Sequence, residues 1–183
     1  DECNTALKDG NICVLIDEHA SIISDWKPDI IIDAILAKRN LGLNINDAPV
    51  TIGVGPGFCA KSDCDCVIES QRGHDLGRCI YFGSAAPNTG IPGEVGGYSS
   101  ERVIKSPSYG IYREICHIGD YVNKDDIIAY ADDVPVRATI SGILRGQLRG
   151  GLRVHSGMKV ADIDPRAERS HCFSISDKAR SIG

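Results

Sequence analysis

The chain has 183 residues, 42% hydrophobic and 25% charged, an ordinary balance for a soluble globular protein with room for one large or two small domains. Its net charge of -5 provides no general attraction for nucleic acid or an anionic membrane, and no apolar run approaches the ~20 residues of a membrane-spanning helix. With one Trp and three Phe, the core must be built mainly from Ile, Val, Leu and Ala.

Residues 1–9 read as the tail of a helix stopped by Gly10. The chain opens in helix-like sequence without Met, which predicts a further segment upstream. Residues 12–16 predict a buried strand, 18–26 a short helix closed before Pro28, and 29–35 another apolar strand. Strands alternating with short helices predict a parallel or mixed α/β sheet. The strand from Ile30 runs into a basic loop containing Lys38, Arg39 and Asn40. A second apolar run, Val50–Val54, ends in Gly53, Gly55, Pro56 and Gly57, which cannot continue a strand and demand a tight loop ahead of Phe58. Strands over 66–70 and 78–83 follow, separated by Arg72, Gly73, His74 and Asp75.

In open α/β sheets the ligand crevice lies beyond the carboxyl ends of the strands. If the strands before Lys38 and Gly55 are parallel neighbours, their loops meet. The glycine-rich backbone after Val54 offers N–H groups to an anion as a nest does, although the pattern is neither a P-loop nor a full dinucleotide fingerprint. We therefore expect one anion-binding crevice formed by Lys38, Arg39 and Asn40, by Gly55, Pro56, Gly57 and Phe58, and by Arg72, Gly73, His74 and Asp75. Arg72 is its bidentate fork. The bland alternative is a tight turn after Val54 and a polar turn at 72–75.

The eight cysteines invite a disulfide reading, but this is not a short, core-poor chain. Cys13, Cys79 and Cys116 sit inside apolar runs as small hydrophobes, which predicts free thiols in a reducing cytosol and burial of Cys13 and Cys79. Cys59, Cys64, Cys66 and His74 have a spacing unlike the usual zinc pattern, so no metal is expected. Cys64 and His74 are the candidate catalytic side chains. The favoured reading of Cys64 is a reduced, partly buried thiol; the alternative is a thiolate, its pKa lowered by Lys61, Arg72 and His74.

Residues 84–97 are rich in Gly, Pro, Ser and Asn and read as a linker, with a domain boundary near Gly97. Beyond it lies an internal repeat. Residues 110–131 align without a gap with 142–163 at an offset of 32, pairing Gly110 with Gly142, Arg113 with Arg145, Gly119 with Gly151, and Val122 with Val154. Each copy reads strand, turn, short strand, turn, strand. The expected organisation is thus an α/β domain over 1–97, a β module over 98–166, and a tail over 167–183 holding a strand at 173–175 and the start of a helix at Asp177. Arg145, Arg149 and Arg153 read as a solvated basic face or an acidic-partner surface.

The β module resembles the lipoyl/biotinyl barrel-sandwich hybrid, with "IGDYV" and "PVRATISGIL" in the matching places. Its central hairpin reads Ala131, Asp132, Asp133, Val134, Pro135 without Lys, so no lipoate or biotin attachment is expected. Across the whole chain, "DAILAKRNLG", "GPGF", "RGHDLGR", "NTG", "GMKVADIDPR" and "SDKAR" stand in order. Together they resemble the YqeB-like accessory proteins of selenium-dependent molybdenum hydroxylases. The resemblance implies a bacterial cytosolic protein that helps mature such a hydroxylase, with the hydroxylase or its maturation factors as partners and an upstream glycine-rich, Rossmann-like segment. It suggests a pyranopterin or nucleotide phosphate, or a selenium donor, as the ligand. Two other readings remain: a non-catalytic adaptor that docks the hydroxylase through its β module, and an enzyme that carries sulfur or selenium on Cys64.

Overall fold

A computed structural model describes residues 2–183. The first-residue position of the expected N-terminal helix lies outside the described residues; from there α1 runs Glu2–Lys8 and α2 runs Ile22–Trp26. The strands of the first half are β1 Ile30–Asp33, β2 Val50–Val54, β3 Cys59–Ala60, β4 Cys66–Ile68, β5 Cys79–Ile80 and β6 Gly83–Ser84. The second half holds β7 Val103–Lys105, β8 Gly110–Glu114, β9 Tyr121–Val122, β10 Ile127–Ala131, β11 Val134–Arg137, β12 Gly142–Gln147, β13 Arg153–Val154, β14 Lys159–Asp164 and α3 Asp177–Ile182.

The chain divides into two units, and the division is discontinuous. One contains the residues up to Glu69 together with Arg78–Ala86; the other contains Ser70–Gly77 and Pro87–Gly183. The excursion between β4 and β5 therefore belongs with the second half of the chain.

In the first unit the sheet order is β1-β2-β4-β5. β1 and β2 are parallel, with Ile30 opposite Val50, β2 and β4 are parallel, and β5 returns antiparallel to β4. Central strands of such sheets are covered on both faces and read as continuous apolar runs, as the fully buried β4 does. The Asp65 carboxylate accepts from the Thr51 backbone N–H at 2.9 Å and from its hydroxyl at 3.0 Å, fastening the start of β4 to β2. Phe58, Ala60, Cys64, Val67 and Ala85 form the core of this unit, with Leu43 and Ile80 against it.

The strand expected over residues 12–16 does not form. Ile12, Val14 and Ile16 are 92%, 91% and 106% exposed. A lone apolar segment gains nothing from extension without a ladder partner, and no described strand lies beside this one. Cys13 is likewise only half-buried and Cys79 is exposed, against the expected burial of both. All eight cysteines are free thiols.

The second unit stacks its strands into two antiparallel sheets, β11-β10-β8-β13 and β7-β14-β12-β9, which do not close into a barrel. Strands start at 110 and 142, at 121 and 153, and at 127 and 159. The short strand of each stretch pairs with the long strand of the other, β13 with β8 and β9 with β12. Neither stretch can bury its own apolar face; together they enclose Tyr112, Ile128, Leu144 and Ile163, all fully buried. Each such side chain contributes roughly 1.5–3 kcal/mol on burial. Arg102 ties the linker to this core, donating to Asp162 at 3.1 Å and to the Gly93 carbonyl at 3.1 Å.

The tail departs from expectation in two ways. No strand forms at 173–175; a 3-10 turn, Arg169–Cys172, precedes α3 instead. The tail also folds back onto the β sheets, where the Cys172 thiol reaches the Leu144 carbonyl. The start of α3 is as read, with the Ser176 hydroxyl accepting from the Ala179 N–H at 3.1 Å as an N-cap.

Candidate functional site

β1 and β2 are parallel neighbours, so their carboxyl-end loops emerge side by side. A Cβ built on Gly57 would lie 2.5 Å from the Arg39 Cα, and Gly57 has φ +112, so only glycine fits there. The loops carrying Lys38–Asn40 and Gly55–Phe58 thus meet. Leu36 (φ +59) and Lys38 (φ +65) are non-glycine residues held in the left-handed region. Such backbone persists only where its surroundings enforce it, and it concentrates at functional sites.

Not every group in these loops is open to a ligand. The Asn40 carbonyl oxygen accepts from the Gly42 and Leu43 N–H groups, each at 2.8 Å, and its amide donates to Leu43, so this side chain builds the turn. The Gly55 N–H donates to Ile68 and the Cys59 N–H to the Asp63 carboxylate. Phe58 is core. Lys38, Arg39 and Gly57 remain exposed.

Arg72, Gly73, His74 and Asp75 lie in the second unit. Arg72 grips Asp177 at the start of α3 with both terminal nitrogens, one contact at 2.9 Å. The hydrogen bond with Asp177 holds the guanidinium above its ordinary pKa and, from the other side, the Asp177 carboxyl well below the usual range. Gly77 (φ +81) closes the same excursion against the Ser181 carbonyl, where any side chain would collide. His74 is exposed.

Around this pair the second unit opens a cleft of ≈ 580 Å³. Its organising group is Asp164 at the end of β14, a carboxylate 1% exposed. It accepts from Arg166 Nε at 2.9 Å and Nη2 at 2.6 Å, and from Arg145 Nη1 at 3.3 Å. Its pKa is depressed to about 2, first by the Arg166 hydrogen bonds and against its own burial. His171 Nδ1 stands 3.8 Å from the same carboxylate, too far for a hydrogen bond, and is buried without another partner among the described residues. Arg145, expected on a solvated face, is instead drawn into this cluster.

Cys64 lacks the setting of the alternative reading, a thiolate. It is fully buried, and desolvation pushes its thiol pKa up. Its Sγ donates to the Cys66 carbonyl at 3.2 Å. A nucleophile needs an accessible, electropositive setting, and Cys64 is a packing residue. Among the described residues no three His, Cys, Asp or Glu side chains come together as a metal site. None of the described helices is long and apolar enough to cross a membrane.

The cleft residues Arg145, Arg166, Asp177 and Arg180, and Asp164 behind them, were given no such role by the sequence. For all but Arg145 the signal lay in "ADIDPR" and "SDKAR", where acid and arginine stand two or three residues apart. Arg72 and Asp177, 105 residues apart, carry no local cue to each other.

Fold and geometry define a two-unit protein: a small mixed α/β sheet, and an antiparallel β unit that carries an arginine-lined cleft. No family model matches the chain. It is 48% identical over 174 residues to the uncharacterized protein YqeB of Escherichia coli, a match covering 95% of this chain and 32% of that protein. The chain is thus similar to YqeB over nearly its whole length while spanning about a third of that relative. Two solved structures show a partial likeness. An aspartoacylase family protein from Mesorhizobium loti is 24% identical, covering 38% of this chain and 24% of that one, with a TM-score of 0.33. The product-bound ectoine utilization protein EutE from Ruegeria pomeroyi is 24% identical, covering 35% and 22%, with a TM-score of 0.31. Likeness at this level carries no functional argument.

Proposed function

We propose that this chain is the anion-binding part of a cytosolic accessory protein that matures a selenium-dependent molybdenum hydroxylase. The observation that carries the binding role is the junction of the two loops after the parallel strands β1 and β2, where Gly57 abuts the Arg39 backbone. The left-handed backbone at Leu36 and Lys38 supports a site there rather than a plain turn. Lys38 and Arg39 supply charge, and the loop backbone supplies N–H groups for a phosphate, such as that of a pyranopterin or a nucleotide. The accessory role rests on the ordered motifs from "DAILAKRNLG" to "SDKAR", and the relation to YqeB is compatible with it.

A docking role for the β unit is the companion reading. The strands recurring 32 residues apart support viewing it as a barrel-sandwich hybrid, and the lysine-free turn at Asp132 and Asp133 favours docking over carriage of a cofactor. Two experiments test the proposal. Calorimetric titration of the whole chain with inorganic phosphate should show Arg39→Ala losing on the order of 1.5–3 kcal/mol if the lost contact is a charge-assisted hydrogen bond. Unchanged affinity removes the loop site. Deleting the full-length gene should abolish hydroxylase activity while the hydroxylase polypeptide is still made; full activity in the deletion strain removes the maturation role.

A further inference from the structure

We propose that the arginine-lined cleft of the second unit is a separate binding site for an organic phosphomonoester, with Asp177 occupying one arginine fork until the ligand arrives. This site owes nothing to the loops after β1 and β2, which belong to the other unit.

Four guanidiniums converge on the cleft from four different pieces of chain: Arg72 from the excursion after β4, Arg145 from β12, Arg166 from beyond β14, and Arg180 from α3. Like charges gathered this way repel one another unless something offsets them. Three carboxylates are at hand: Asp164 behind the wall, and Asp177 and Glu94 in it. Four positive charges against three negative leave the cleft cationic.

The distribution of contacts separates structural arginines from available ones. Arg166 is held by Asp164 through Nε and Nη2. Arg145 makes one long contact to the same carboxylate, at 3.3 Å. Among the described residues, the Arg180 guanidinium has one long contact, to the Ile175 carbonyl at 3.5 Å. Arg145 and Arg180 therefore keep donors in reserve, in a cleft that a buried carboxylate has already organised. Preorganised donors of this kind bind an oxyanion without first having to be ordered.

Arg72 is different. Its planar fork is filled, but by Asp177, whose side chain is 72% exposed. An exposed ion pair is weak and exchangeable. A carboxylate seated on an arginine fork has the geometry that a phosphate presents, so Asp177 stands where a ligand oxyanion would sit. The cleft volume of ≈ 580 Å³ lies in the range of small-molecule sites and far exceeds one phosphate ion. That size points to a phosphate carried on an organic body.

The test uses the whole chain at low ionic strength, titrated calorimetrically with inorganic phosphate, adenosine monophosphate and succinate. The monophosphate should bind more tightly than inorganic phosphate, and succinate more weakly than either. Made in an Arg39→Ala background, so that the loop site contributes no heat, Arg145→Ala and Arg180→Ala should each weaken monophosphate binding by about tenfold or more. Asp177→Asn, which frees the Arg72 fork, should strengthen it several-fold. Thermal melts of each variant identify any loss of fold, and Arg180→Lys, with its charge retained, should bind at an intermediate level. Absence of saturable monophosphate binding, equal affinity in wild type and both alanine variants, or weakened binding in a folded Asp177→Asn would each overturn the proposal. If Arg39→Ala removes the phosphate heat and Arg145→Ala does not, the loop site stands and the cleft site falls; the reverse outcome separates them the other way.

Discussion

Asp164 shows how one carboxylate organises a region. It is buried, yet its pKa sits at about 2 because the Arg166 hydrogen bonds outweigh desolvation. A folded-state pKa below the ordinary value of 3.8 means that folding favours the ionised form. The resulting stabilisation, about 2 kcal/mol, is fully present above pH ~4 and is lost as pH falls toward 2. Urea denaturation at pH 7 and pH 2.5 should show this loss in the wild type. Asp164→Asn should lower stability at pH 7 and flatten the acid dependence. A variant that keeps the full acid dependence would mean another group carries it. Tyr112 sets the opposite limb. Burial raises its phenol to about 12, so the neutral form is favoured on folding and its contribution is full below pH 10 and falls between pH 10 and about 12. Tyr112→Phe should remove that alkaline loss, measured by thermal melts across pH 9 to 11, at a cost near 1 kcal/mol from the weak 3.3 Å contact to Gln147.

At the scale of elements, the docking of α3 depends on a residue far from it in sequence. Gly77 packs on the Ser181 carbonyl with φ +81, so Gly77→Ala brings both a collision and a strained backbone. The expected cost is about 1–3 kcal/mol, confined largely to the C-terminal turn and helix. Amide exchange should accelerate over residues 177–182 while the strands β8 and β12 keep their protection. Unchanged exchange in α3 would show that the helix does not rely on this contact. The predicted strand at 12–16 illustrates the converse: an apolar run makes a strand only where a neighbouring edge receives it.

At the scale of the molecule, the decisive feature is that the second unit is not contiguous. The boundary read near Gly97 follows the change of composition, but residues 70–77 belong with the β unit. A fragment starting at residue 98 lacks Arg72, Gly77 and the Gly93 carbonyl that accepts from Arg102. It should keep its two β sheets by circular dichroism but melt below the corresponding transition of the whole chain. A fragment melting at the same temperature would show that the excursion adds nothing to stability.

Local chemistry was legible in the sequence. Apolar runs and glycine turns marked β8 to β10 and β12 to β14, because period and turn preference act over a few residues, whereas β11 begins inside the stretch read as the central hairpin. The meeting of the loops at Arg39 and Gly57 followed once β1 and β2 were parallel. The grip of Arg72 on Asp177 and the burial of Cys64 were decided only in three dimensions. Charge pairing and solvent exclusion depend on which distant segments the topology brings together, and no spacing along the chain records that.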